Sequence, residues 1–316
     1  MNNLARLKII TISILLLSLT SCSLKEDNLE TIKTGTNVTN RYDKKVFIEG
    51  NNHLDNPAGI LYTNSMLYVV NKGSDTIGQY DSNGTFLKEI GKTGNGECEF
   101  ISPVLIVTDP EGNFYIAEEG NARVQVFNKN FEYVKEYPIK QVDKFDCDLL
   151  DMEVDADKNI YLSFRTLKSK KARILIIEEN GTNKLIGNDL NGIMGRDLQN
   201  DQIYYAQTYD YDKNSIYTGQ SFLAKITDKK ISKIEKLNSG HYGPSDLVVR
   251  DDIIYIFSCA THQVETFNLD GEYLETLYKG DVYDPKLDFY YITMNEDEEI
   301  YASNQKDNEI YIFTKQ

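Results

Sequence analysis

Six copies of an apolar-Tyr strand recur 43 to 51 residues apart, each among further short strands and Gly, Asn and Asp turns. That pattern predicts an all-β chain folded as a six-bladed β-propeller of four-stranded blades. The copies are Leu67-Tyr68-Val69, Phe114-Tyr115-Ile116, Ile160-Tyr161-Leu162, Ile203-Tyr204-Tyr205, Ile254-Tyr255-Ile256 and Ile300-Tyr301-Ala302. Composition agrees, with 22 Tyr and 13 Phe but only 6 Pro in 316 residues.

Within each unit the elements follow in order. A turn precedes the Tyr strand, as in Asp109-Pro110-Glu111-Gly112-Asn113 and Asp155-Ala156-Asp157-Lys158-Asn159. A second apolar anchor follows it at Tyr80, Phe127, Ile177, Ile226, Phe267 and Phe313. A further turn and strand close the unit, as in Asn268-Leu269-Asp270-Gly271 before residues 272–278. The sixth unit stops at Gln316 after its third strand, while residues 45–50 read as a fourth strand with no blade before them. The N-terminal strand is therefore expected to complete blade six, which removes two open sheet edges and makes 45–316 one ring.

The first 44 residues are of another kind. Arg6 and Lys8 precede an apolar stretch over 9–19, about half of what a spanning helix needs, so 1–21 reads as a cleaved signal. Leu19-Thr20-Ser21-Cys22 resembles a bacterial lipobox, which implies lipidation at Cys22 and attachment to the membrane through that lipid only. Lys25-Glu26-Asp27 resembles the surface-export signal of Bacteroidota lipoproteins, placing the chain at the outer membrane, surface-exposed or facing the periplasm. Residues 22–44 are polar and read as a flexible tether.

Net charge is −15, and −17 once 1–21 are removed with their two bases. A surface so acidic excludes nucleic acid as a main partner, because phosphate binding needs basic residues. Three cysteines remain beside Cys22 and cannot all pair. Buried free thiols are expected, with Cys98–Cys147 as the alternative.

Blade two carries Gly94-Asn95-Gly96 and Phe100-Ile101-Ser102-Pro103, then Glu118, Gly120-Asn121 and Arg123 ahead of Phe127. This resembles an NHL repeat. With the lipobox, the chain resembles six-bladed propeller lipoproteins of Bacteroidota. The resemblance implies a scaffold, since such proteins bind proteins, peptides or RNA and a minority are enzymes. It also implies that Glu118 and Arg123 brace the neighbouring loop.

If the four strands of a blade are a to d from the axis outward, the d–a and b–c connections share one face. The spacing from Tyr anchor to second anchor is 12 in four blades but 16 and 22 in blades three and four. The extra residues lie in b–c loops, and in repeat folds insertions gather on the binding face. The candidate binding residues there are Arg165, Tyr209, Asp210, Tyr211, Asp212, His241, Tyr242 and His262, for a protein, peptide or glycan ligand. A structural flap is the competing reading.

No catalytic residue, cofactor or metal ligand is assigned. Asp210-x-Asp212-x-Asn214 resembles half a calcium loop but lacks its Gly and its closing Glu. Asp155-x-Asp157-x-Asn159 has the same spacing inside a turn. NHL-type enzymes hold zinc with His on this face, yet His53 is two blades from His241 and His262, so packing or surface His is expected. Asn71, Glu118, Phe164, Gln207, Ser258 and Asn304, three residues past each Tyr, are too mixed for a calcium set. A metal-dependent hydrolase or lyase using the axial channel is the alternative function.

Overall fold

The computed structural model describes residues 39, 41–50, 52–140, 146–168, 172–187, 190–207, 222–235, 244–258, 263–280 and 289–316. Six antiparallel sheets of four strands form the ring. Strand β1 (Tyr42–Ile48) comes first. Blade one is β2–β5 (Pro57–Thr63, Met66–Asn71, Thr76–Asp81, Phe86–Ile90) and blade two β6–β9 (Pro103–Thr108, Phe114–Glu118, Arg123–Phe127, Tyr133–Pro138). Blade three is β10–β13 (Cys147–Val154, Ile160–Thr166, Ala172–Ile177, Asn183–Ile186) and blade four β14–β17 (Gly192–Asp197, Gln202–Gln207, Leu223–Thr227, Lys230–Glu235). Blade five is β18–β21 (Pro244–Arg250, Ile253–Ser258, Gln263–Asn268, Tyr273–Lys279) and blade six β22–β24 (Phe289–Met294, Ile300–Asn304, Glu309–Lys315) with β1 outermost.

The N-terminal strand thus closes the ring as expected, but it begins at Tyr42 rather than at residue 45. β1 runs antiparallel to β24 from Tyr42 opposite Lys315 to Ile48 opposite Ile310, with a bulge between Val46 and Ile48. Closure is also a packing event. Ile48 and Ile310 share one buried cluster with Ile60, Leu67 and Tyr80 of blade one.

All six Tyr anchors are buried, between 1% and 7% exposed. They point between blades, so the core is a series of blade-to-blade interfaces. In the a–b turns a side chain replaces water for the backbone. Asp109 accepts the N–H groups of Glu111 and Asn113, both at 2.9 Å, and the Tyr115 hydroxyl at 3.3 Å. Asp155 accepts the Asn159 N–H at 2.8 Å and the Tyr161 hydroxyl at 3.1 Å. The spacing that resembles a calcium loop here is turn chemistry.

Cys98 is half-buried and Cys147 buried, and both are free thiols. Burial pushes the Cys147 thiol up to about 12. Cys22 and Cys259 lie outside the described residues.

Candidate functional site

Inner strands from all six blades enclose an axial cavity of about 430 Å³. Leu, Ile, Val and Met supply just under half of its lining residues, as strands covered on both sides require, and the rest are polar, charged, Gly or Tyr. The exceptions define the site. Asp151, Asp246 and Tyr291 each follow a bulge in their inner strand and pair with Ser163, Phe257 and Ser303, two residues past a Tyr anchor. The bulge re-aims each side chain, and three of the six blades thus place a polar group at one level of the channel.

Asp151 accepts the N–H of Met152 at 2.7 Å and the N–H of Met194 in blade four. Asp246 accepts the N–H of Leu247 at 2.7 Å and of Ile292 in blade six at 2.5 Å. Each aspartate therefore ties its own inner strand to the next blade. Burial pushes both carboxyls well above the usual range, Asp151 further by the charges of Asp246 and Glu153. The backbone N–H bonds offset this only in part.

Glu153 lines the cavity two residues further along β10 and accepts the Arg196 N–H at 3.2 Å. Part of its surface opens on the cavity, while the ring surrounds the rest. Burial raises its carboxyl to about 7, against the opposing pull of the Arg196 guanidinium. Arg196 itself reaches the Thr108 carbonyl at 3.3 Å and Asp201 at 3.4 Å, leaving its Nε buried without a partner among the described residues. Burial, then the charges of Glu119, Asp151 and Asp246, hold the Tyr291 hydroxyl well above its ordinary range.

A pH dependence follows. Between the unfolded carboxyl value, about 4.3, and about 7, native Glu153 holds more proton than the unfolded chain, so stability falls as pH rises through that window. The slope is at most about 1.4 kcal/mol per pH unit for one group. Melting from pH 5 to 7 should show the decline, to which the raised Asp151 and Asp246 carboxyls contribute in the same sense, and Glu153→Gln should make it shallower. An unchanged slope in the variant would remove Glu153 as its source. Glu99, held low by the Gly96 N–H, and Glu178, held low by Lys229, act in the opposite sense at more acidic pH.

The d–a and b–c face is braced by buried side chains. In blade two, the fully buried Glu118 accepts the Ile101 N–H at 2.9 Å, Asn121 at 2.6 Å, Arg123 Nε at 2.7 Å and Gln125 at 2.9 Å. Arg123 donates on to the carbonyls of Asn95, Gly96 and Glu99 at 2.8–3.1 Å. Two glycines permit the close approach. A Cβ at Gly91 would lie 2.3 Å from the Phe100 ring and one at Gly120 2.3 Å from Ile101. Asn71 does the same in blade one with an amide, donating to the His53 carbonyl at 2.9 Å and accepting the Asp55 N–H at 3.1 Å.

Of the sequence-predicted binding residues, the described structure contains Arg165, which forms an ion pair with Asp148 at 2.6 Å across β10 and β11. Tyr209, Asp210, Tyr211, Asp212, His241, Tyr242 and His262 lie outside the described residues. His53 stacks on Phe86 with ring centres 3.6 Å apart. Among the described residues no group of three His, Cys, Asp or Glu is arranged to hold a metal ion. Asp151, Glu153, Asp246 and Arg196 were not singled out from sequence. The available signal was three acids in Cys147–Val154, a strand otherwise apolar enough for the interior.

The DUF5128 family model, described as a 6-bladed beta-propeller, matches residues 49–249. The chain belongs to this family. No curated protein matches DUF5128 member residues 1–316. Among solved structures, virginiamycin B lyase from Staphylococcus aureus is similar at TM-score 0.56 and 9% identity, covering 86% of this chain and 99% of the lyase. The calcium-binding protein regucalcin from Agrobacterium tumefaciens gives 0.59 and 9%, with 86% and 93% covered. A provisionally named exported protein of Bacteroides fragilis gives 0.55 and 11%, with 90% and 98% covered. At these identities the likeness is one of fold. This chain and these structures share a ring; any chemistry must come from the site.

Proposed function

We infer that this DUF5128 protein is a binding and scaffolding module of the cell envelope, anchored by a lipid at Cys22, which takes a protein, peptide or glycan across its d–a and b–c face. The observation that carries this reading is the bracing of the loops of blades one and two, which makes that face a rigid platform; the axial cavity, walled by both apolar and charged groups, reaches the opposite face at the a–b turn residues Leu198, Gln199, Asp251 and Glu296. Absence of Trp favours protein or peptide over glycan, because Trp is the preferred stacking surface for sugars.

The test uses the residues singled out on the two long b–c loops. Replacing Tyr209 and Tyr211 together by Ala should weaken capture of the partner by at least about 2 kcal/mol, the scale of an interface hot spot. If these residues serve binding and not the fold, the free energy of unfolding should change by no more than about 0.5 kcal/mol. Partner capture can be scored by crosslinking on intact cells followed by titration of the captured species. Loss of stability with binding retained would make the loops a structural flap.

A second reading has one specific observation behind it. A carboxyl raised to about 7 in a cavity suits general acid–base work at neutral pH. A propeller hydrolase or lyase would lose turnover with Glu153→Gln and keep substrate binding, whereas a binding module would show no turnover to lose.

A further inference from the structure

We propose that the axial cavity is a second binding site, entered from the tight-turn face, for a linear aliphatic polyamine. Ammonium groups sit on its carboxylates and methylenes lie along its apolar wall. The site opens on the face opposite the one assigned to the partner and is independent of that reading. Its mouth is formed by Leu198, Gln199, Asp251 and Glu296, from the a–b turns of blades four, five and six.

Strand register sorts the lining into levels. Opposite the six Tyr anchors stand Leu61, Val107, Glu153, Gly195, Val248 and Thr293, and all of them line the cavity. Two residues further in come Asp151, Asp246 and Tyr291. Two residues further out come Asp197 and Arg250, with Asp251 and Glu296 beyond them in the turns. Each such step is about 7 Å along a strand. Carboxyl groups therefore stand at three depths, and the middle level is uncharged apart from Glu153. Tyr291 reaches across the axis at the inner level, since its hydroxyl lies in the field of Glu119, Asp151, Asp246 and Asp148 from blades two, three and five.

Charge gives the class of ligand. The wall carries six acids, Asp151, Glu153, Asp197, Asp246, Asp251 and Glu296, against two bases, Arg196 and Arg250. None of the six forms an ion pair among the described residues. Arg196 is answered instead by Asp201 and the Thr108 carbonyl, and Arg250 by the Asn295 carbonyl. Asp197 is 1% exposed; its Oδ1 accepts the Gln199 N–H at 2.9 Å, while its Oδ2 has no partner among the described residues. A buried carboxylate with one oxygen unanswered calls for a donor that also carries positive charge. The acids are spread over four blades and three depths, so an extended chain of charges reaches more of them than a point cation does. The Leu and Val side chains between the levels suit its methylenes.

Binding is coupled to protons. Burial holds the Asp151 and Asp246 carboxyls well above their usual range and Glu153 at about 7, so the empty cavity keeps protons on them near neutrality. Arg196 pulls the other way at Glu153, and the Tyr291 hydroxyl stays protonated throughout. An ammonium group beside these carboxyls favours their charged form, so they release protons as it binds. Affinity therefore rises from about pH 6 to 8, while the amine, titrating near the lysine value of about 10, stays charged. A carboxylate ligand would show the opposite sign.

The experiment titrates spermidine into the purified full chain by calorimetry, at about 0.15 M salt and in two buffers of different ionisation heat. Saturable binding with proton release, tighter at pH 8 than at pH 6, is the expected result. Putrescine should bind more weakly, and butanediol, which has a similar chain without the charges, should give no heat of binding. Glu153→Gln keeps an oxygen for the Arg196 N–H and should weaken spermidine about tenfold or more. The double variant Asp251→Asn/Glu296→Gln alters only exposed turn residues at the mouth, and should weaken it about threefold or more even if the Glu153 variant fails to fold. Asp270→Asn removes an exposed acid from the c–d turn of blade five, on the same face but away from the axis, and should change affinity by less than about twofold. No binding at pH 8 overturns the proposal. So does an Asp270→Asn loss equal to that of the mouth variant, because the contact would then be with the surface charge of the face. Calcium that binds in the same titration and is not displaced by spermidine would make the cavity a metal site and overturn the ligand class.

Discussion

Deletion of residues 41–48 should turn a closed propeller into an aggregating chain. β1 is the outer strand of blade six and pairs with β24 along its length. Its two ends are buried, Tyr42 at 4% and Ile48 at 1% exposure. Tyr42 packs with Phe257 and Phe313 toward blade five, and its hydroxyl donates to the Glu298 carbonyl at 3.1 Å. Ile48 packs with Ile310 and Tyr80 toward blade one. Burying two such side chains contributes about 1.5–3 kcal/mol each, against a total stability of about 5–15 kcal/mol for a domain. The deletion also leaves β24 as a bare edge, and open edges recruit other chains. Light scattering and melting decide the matter. A soluble monomer with wild-type melting would reduce β1 to tether. Deletion of 23–37 is the control and should leave melting unchanged.

How far the sequence could be read depended on what each position must do. The Tyr and second anchors were legible because a ring of blades demands a large apolar group at the same place in every repeat, and all six Tyr anchors are buried. The start of β1 was placed three residues late because Asp43, Lys44 and Lys45 carry no apolar alternation. An outermost strand faces water on one side and needs none. Asp151 and Asp246 were missed for a different reason. An acid in a strand ordinarily marks a surface position. These two are buried through bulges that no local propensity announces, and they are satisfied by backbone N–H groups of a neighbouring blade, 43 and 46 residues away. Glu153 was hidden in the same way. Glu118 and Arg123 were legible through the motif around them, and the structure gives the reason for that motif: four side chains of one blade, Glu118, Asn121, Arg123 and Gln125, jointly hydrogen-bond the loop that precedes it.

That network supplies the second large effect. Glu118→Ala should cost about 3–5 kcal/mol, the scale for breaking a buried ion pair by removing one partner. The Glu118 carboxylate is 0% and the Arg123 guanidinium 8% exposed. The substitution strips acceptors from Arg123, Asn121, Gln125 and the Ile101 N–H at once, and water cannot reach all four. Arg123 has a second carboxylate partner, Glu136 at 2.6 Å, whose side chain is 44% exposed. Glu136→Ala should cost no more than about 1 kcal/mol, because solvent already screens that pair and can replace it. The two variants touch one guanidinium at similar distances, so their ratio isolates burial as the cause. Urea unfolding of both in parallel is the measurement. Equal losses would mean that the arginine acts as a charge and not as the buried hub of the loop. The Glu118 variant should also lose the order of residues 94–102 before the ring melts, visible as faster amide exchange at Gly94 and Ile101. Blade one offers the internal comparison. Asn71 braces its loop with a neutral amide and only two hydrogen bonds to that loop, so Asn71→Ala should cost about 1–3 kcal/mol, less than Glu118→Ala, and leave the blade two loop protected.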